Sequence, residues 1–161
     1  MLLHGIITPL LRTLEDPPNP DVLLKMLWLL LSLTGTSPHR QMLAQGGLLA
    51  PLPRLLESCH DEQLVELCKV IMNLTLDGAL LHALFERGIG GAVVRRLRDT
   101  ALPPQVRRML LSMALALTMG DETPRLALVE AGLLDALAEV SSTEDAGEQQ
   151  AISQNVNNPF W

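Results

Sequence analysis

The sequence predicts an all-α chain built as a helical solenoid. Glycines recur at a fixed period, since Gly5, Gly47, Gly88 and Gly132 lie 42, 41 and 44 residues apart. An apolar residue stands five positions after each (Leu10, Leu52, Val93, Leu137), and another nine after the first three (Leu14, Leu56, Leu97). A second series, Leu33-Thr34, Leu74-Thr75 and Leu117-Thr118, keeps steps of 41 and 43. Periods of roughly 40 to 47 residues in a helical background mark stacked repeats, each burying its apolar face only against its neighbours. Composition agrees: of 161 residues 48% are hydrophobic, none is Tyr, and only two are Phe and two Trp. Leu, Ala and Met favour helix, whereas a sheet protein draws on Val, Thr, Tyr and Phe. One folded unit is the expectation at this length.

Each element follows from local chemistry. A first helix is expected over about Leu3 to Leu14, stopping at Glu15-Asp16-Pro17-Pro18, where neither proline donates a helical hydrogen bond. Asn19 caps the next helix with Pro20 at its first position, and Val22, Leu23, Met26, Leu27, Leu30 and Leu33 carry it to Gly35. Thr36-Ser37-Pro38 repeats the polar cap before a short helix over Arg40 to Gln45, closed by Gly46-Gly47. A helix over Leu48 to Glu57 follows, and then Gln63 to Leu76 with Leu64, Leu67, Cys68, Ile71, Leu74 and Thr75 on one broad face. Asp77-Gly78 breaks it. The cycle repeats through Leu80 to Arg87, a stop at Gly88, Ala92 to Arg98, and Pro103-Pro104 leading into Val106 to Met119. Thr123-Pro124 opens a short helix to Ala131, Gly132 turns the chain, and Leu133 to Val140 ends the repeats. From Ser141 the residues turn acidic and polar, with too little apolar content to offset ordering entropy, so 141–161 reads as a flexible tail after a repeat domain of 1–140.

The run Gly47-Leu48-Leu49-Ala50-Pro51-Leu52-Pro53-Arg54-Leu55-Leu56 resembles the opening of the second helix of an armadillo repeat. Lys25-Met26-Leu27-Trp28-Leu29-Leu30-Leu31-Ser32-Leu33 resembles the third helix, which in that family usually carries a Trp and, four residues later, an Asn. Here the Trp position holds Trp28, Lys69 and Ser112, and the Asn position holds Ser32, Asn73 and Ala116, so no repeat keeps the pair. The resemblance spans about Leu3 to Val140. It implies a right-handed armadillo-type solenoid with two complete central repeats and partial flanking repeats, whose third helices line a concave peptide groove.

With Leu24, Val65 and Arg108 one turn before the Trp positions, the groove expected from this alignment contains Leu24, Trp28, Ser32, Val65, Lys69, Asn73, Arg108 and Ser112. An Asn amide can meet both a backbone donor and an acceptor. Aromatic and apolar anchors with Lys69 and Arg108 suit an extended or helical peptide that brings apolar groups and an acidic one. Arg95, Arg96, Arg98, Arg107 and Arg108 form the basic concentration. It reads first as a solvated face, and alternatively as a receiver for an acidic partner or for Glu144, Asp145 and Glu148 of the tail.

A net charge of -6 opposes a general nucleic-acid surface. Val22 to Leu33 is too short to span a bilayer and is interrupted by Lys25. His4, His39, His60 and His82 are dispersed, Cys59 and Cys68 lack a metal motif, and no glycine-rich nucleotide loop occurs, so no catalytic site, metal or cofactor is expected. Two cysteines cannot staple a framework, which predicts a reducing compartment, cytoplasmic or nuclear. In the tail, Asn158-Pro159-Phe160 resembles the ligands of EH domains, modules of endocytic and recycling machinery, and Trp161 adds a second ring for docking on a partner or on an open end of the solenoid. The sequence therefore predicts a noncatalytic adaptor that binds a protein or peptide in its groove. The alternative is an assembly module that self-associates through its terminal repeats or its tail.

Overall fold

In the computed structural model, which describes residues 2–120 and 122–142, ten helices follow one another and no strand occurs among the described residues. The order is α1 (Leu2–Glu15), α2 (Pro20–Thr34), α3 (Ser37–Gln45), α4 (Leu52–Ser58), α5 (Asp61–Leu74), α6 (Gly78–Glu86), α7 (Ile89–Leu97), α8 (Pro104–Thr118) and α9 (Glu122–Glu130), with a last helical segment α10 over residues 133–142. Helices α3–α5 and α6–α8 make two complete three-helix repeats; α1–α2 and α9–α10 are the partial ones.

Like helices stack on like. Helix α2 packs on α5 and α5 on α8, α4 packs on α7, and α6 packs on α9. The core is a continuous ladder rather than a centre: Leu27, Leu30, Leu64, Leu67, Leu74, Leu110 and Leu117 are all fully buried along the α2–α5–α8 row. Full burial of each such side chain is worth about 1.5–3 kcal/mol.

Local chemistry sets the corners. Asn19 Oδ1 accepts from Val22 N at 2.9 Å with Pro20 starting α2, and Asp77 Oδ1 accepts from Ala79 N at 3.1 Å at the start of α6. Gly47, Gly88 and Gly132 adopt φ of 102°, 85° and 94°, and each donates its N–H three residues back at 3.0 Å, to Ala44, Phe85 and Val129. The Leu-Thr series has an equally regular role. Thr34, Thr75 and Thr118 each donate Oγ1 to the carbonyl three residues earlier, at 3.1, 2.7 and 2.7 Å, near the last turn of α2, α5 and α8.

Several boundaries differ from expectation. Gly5 lies inside α1, as the expected helix over Leu3 to Leu14 has it, and the first difference comes after it. Helix α4 starts at Leu52 rather than Leu48, because Pro51 and Pro53 lack the N–H groups that would continue a helix back into the Gly47 turn. Thr36 precedes α3 without a side-chain cap bond, and α3 begins at Ser37, ahead of the expected Arg40. Helix α7 begins at Ile89, ahead of Ala92, because Gly90 is a packing residue rather than a breaker. A Cβ there would lie 3.2 Å from Phe85 Cε1 and 3.6 Å from Leu128 Cδ2, so its absence lets α6 and α9 close on α7. Residues 143–161, including Asn158, Pro159, Phe160 and Trp161, lie outside the described residues.

Candidate functional site

The row α2, α5 and α8 carries a groove of about 480 Å³ at the ends where these helices begin. Its apolar wall is Leu24 and Trp28 of α2, Val65 of α5 and Val106 of α8, with Pro103 and Gln105 at the far end. Trp28 is 51% exposed although it stands in a strongly apolar helix, which leaves a large ring available to a ligand. The neighbouring helix α5 also contributes Asp61, Glu62 and Glu66 to the lining.

These carboxylates are placed by the helix they start. Asp61 and Glu62 occupy the first turn of α5, where the positive end of the helix dipole favours negative charge by about 0.3–1 kcal/mol each. Asp61 has φ 45°, the one non-glycine among the described residues with positive φ, and Asp tolerates that region better than most side chains. Glu66 follows one turn later and accepts from Lys69 Nζ at 2.7 Å.

Of the eight residues expected from sequence, Leu24, Trp28 and Val65 line this groove, and Ser32, Lys69, Asn73, Arg108 and Ser112 do not. Ser32 and Ser112 return their hydroxyl protons to their own helices, to the carbonyls of Trp28 at 3.1 Å and Arg108 at 3.0 Å. Asn73 turns toward the neighbouring repeat: its Nδ2 donates to Thr34 Oγ1 at 3.1 Å and to the Leu31 carbonyl at 3.4 Å. Arg108 and Ser112 are exposed on α8 beyond the groove. With Lys69 paired to Glu66, the charge around the groove is negative, the reverse of what Lys69 and Arg108 suggested in the sequence.

The basic concentration is used mostly within the protein. Arg96 is buried and donates to the Cys59 carbonyl at 2.7 Å and to Asp99 Oδ2 at 2.9 Å, tying α7 to the α4–α5 corner. Arg95 pairs with Glu57, Arg98 with Glu139, and Arg107 reaches the carbonyls of Asp99 and Thr100. Cys59 and Cys68 are buried free thiols. Burial pushes Cys59 up to about 11 and Cys68 up to about 12, against a partial lowering by Arg96, so both are protonated at neutral pH and unsuited to nucleophilic attack. Among the described residues no cluster of three or more His, Cys, Asp or Glu could hold a metal, and no helix is long and apolar enough to cross a membrane.

No protein-family model matches the sequence, and no curated protein does. Solved structures do. A designed armadillo repeat protein in complex with the peptide (KR)4 superposes with a TM-score of 0.74 at 25% identity, over 84% of this chain and 56% of that one. A second designed armadillo repeat protein gives a TM-score of 0.75 at 22% identity, over 88% of this chain and 59% of that one. Computationally designed armadillo repeat proteins for modular peptide recognition give 0.70 at 23% identity, over 81% of this chain and 55% of theirs. The chain thus spans a little over half the length of each of these solved structures.

Proposed function

On the armadillo-like repeat fold that these similarities establish, we propose a noncatalytic binding module whose α2–α5–α8 groove holds a peptide segment of another protein. One observation carries the reading: an exposed Trp28 shares an open groove with Leu24, Val65 and Val106 and with the carboxylates of Asp61, Glu62 and Glu66. A large ring with aliphatic neighbours supplies the buried anchor that dominates binding energy, and carboxylates at a helix start supply charge-assisted acceptors. The segment that matches this chemistry sets an apolar side chain beside Lys or Arg. The designed armadillo protein with (KR)4 supports the same sign of charge. Lys69 and Asn73 act behind this surface, Lys69 by moderating Glu66 and Asn73 by joining α5 to α2. The work is carried out in a reducing compartment, cytoplasmic or nuclear.

The test is fluorescence anisotropy with labelled synthetic peptides that alternate Lys or Arg with Leu, beside acidic counterparts of the same length. The basic-apolar series is expected to bind and the acidic one not. Trp28→Ala is expected to weaken binding at least about tenfold, in line with loss of an interface anchor. Asp61→Gly should also weaken it while leaving stability nearly unchanged, since relief of the positive φ offsets the lost dipole interaction. Equal binding of both series, or indifference to Trp28→Ala, refutes the groove.

A further inference from the structure

The cations of this chain are split unevenly between two chemistries, ten Arg against two Lys, which are Lys25 and Lys69. The arginines tie elements together. Arg40 donates to the Thr34 carbonyl and Arg96 to the Cys59 carbonyl, while Arg95 pairs with Glu57 and Arg98 with Glu139. A guanidinium keeps its proton throughout the physiological range, so the charge in these links is fixed. A lysine amine is different, because acylation removes its charge outright.

Among the described residues Lys69 is the one Lys paired with a carboxylate. Its Nζ lies 2.7 Å from Glu66 Oε1, and Glu66 lines the groove whereas Lys69 does not. The Lys69 side chain is 40% exposed and that of Glu66 15%, so a reagent in solvent meets the amine before the carboxylate. Register adds a second observation. Lys69 stands 41 residues after Trp28, so in the α2–α5–α8 row a cation occupies the place where the preceding repeat presents its exposed ring.

We propose that Lys69 is an acetylation site that regulates the groove, an inference that rests on the peptide-binding reading above. In the site of a lysine acetyltransferase the neutral amine attacks the thioester carbonyl of acetyl-coenzyme A. The N–C bond forms, the C–S bond breaks, the amine gives up a proton, and coenzyme A departs as the thiol. Nζ becomes an uncharged amide nitrogen. Two consequences favour a segment that carries Lys or Arg. Glu66 loses its internal partner and joins Asp61 and Glu62 as a free acceptor, and repulsion between Lys69 and the incoming cation ends. The acetyl cap also replaces a strongly hydrated ammonium with a neutral group at the register position of Trp28. An exposed pair three residues apart on one helix is a weak interaction, so its loss spares the fold and appears in affinity.

Fluorescence anisotropy with a labelled peptide alternating Arg with Leu tests this on the whole chain, before and after treatment with an acetylating reagent that is then removed. Lys69→Arg keeps the charge and resists the reagent, so acetyl groups on Lys25 and the amino terminus are common to both proteins. Acetylation is expected to tighten binding by the wild type about two- to fivefold and to leave Lys69→Arg unchanged. Lys69→Gln should tighten binding without any reagent, and most of that gain should vanish when Glu66→Gln is added. Circular dichroism and melting temperature should match the wild type throughout. A wild type that binds with the same affinity after acetylation overturns the Lys69 switch and leaves the groove standing. So does an equal gain in Lys69→Arg, a Lys69→Gln gain that persists in full without Glu66, or a fall in melting temperature that places Lys69 in the fold. Failure of every form to bind the peptide refutes the groove itself, and the switch with it.

Discussion

Exchanging a glycine for alanine at two points of the same sequence series should move stability in opposite directions. At Gly88 the backbone has φ 85°, and a built Cβ meets nothing within 4 Å, so Gly88→Ala adds no clash and changes the backbone alone. The left-handed conformation costs an L-residue with a Cβ roughly 1–2 kcal/mol. At Gly5 the backbone is inside α1, and a Cβ again meets nothing within 4 Å. There alanine should gain about 1 kcal/mol, because glycine loses more backbone entropy on entering a helix. The two variants should therefore differ by roughly 2–3 kcal/mol. For a chain of this size 1 kcal/mol moves the midpoint by about 2–4 °C, so their melting temperatures should bracket the wild type and stand roughly 4–12 °C apart. Thermal melts followed by circular dichroism at 222 nm measure this directly. If both variants shift the same way, or Gly88→Ala is neutral, the distinction between a turn glycine and a helical one is wrong.

Two further outcomes follow from the buried polar groups. Arg96→Met should cost about 2–4 kcal/mol in urea denaturation, because the Cys59 carbonyl loses its donor, whereas Arg95→Met, which breaks an exposed pair with Glu57, should cost under about 1 kcal/mol. Equal costs would place Arg96 on a solvated face. Stability should also decline in alkali. A thiol whose folded pKa lies above its ordinary value of 9.0 contributes stability fully present below pH 9 and lost as pH rises toward about 11 for Cys59 and about 12 for Cys68. The slope in that window is about 1.4 kcal/mol per pH unit per thiol, and Cys68→Ala should reduce it; a flat profile from pH 9 to 10.5 would refute the buried-thiol assignment.

The architecture was legible because it is written in residues with few conformational alternatives. Gly47, Gly88 and Gly132 each supply a left-handed turn, Asn19 and Asp77 cap where their side chains can reach a backbone N–H, and the three Thr residues close the same turn in successive repeats. Gly90 misled, because spacing cannot distinguish a glycine that breaks a helix from one inside a helix that admits a neighbouring helix. The candidate groove was legible only in its apolar half. Leu24, Trp28 and Val65 follow from a stripe of one-turn steps, but such a stripe runs along the helices, and the groove lies across their beginnings. Asp61, Glu62 and Glu66 of α5, Pro103 before α8 and Gln105 within it complete the groove, and no repeat-period signal in the sequence singles them out. The pairing of Lys69 with Glu66, three residues apart, was within reach of sequence alone, and it would have corrected the sign of the charge. Asn73 failed for another reason: its partner, Thr34, belongs to the previous repeat and lies 39 residues away.

The contact between Asn73 and Thr34 bears on the mechanics of the array. A hydrogen bond fixes how far one helix has slid along another, whereas apolar packing alone is non-directional and tolerates sliding. Helix α2 is latched to α5 in this way, but the position that follows Asn73 in the next repeat is Ala116, and among the described residues no side-chain hydrogen bond joins α5 to α8. The solenoid therefore behaves as a spring with one stiff joint and one compliant joint. A segment bound as proposed across all three helices would meet Trp28 and the carboxylates of α5 at a fixed spacing, while the position of Val106 on α8 would adjust to its length.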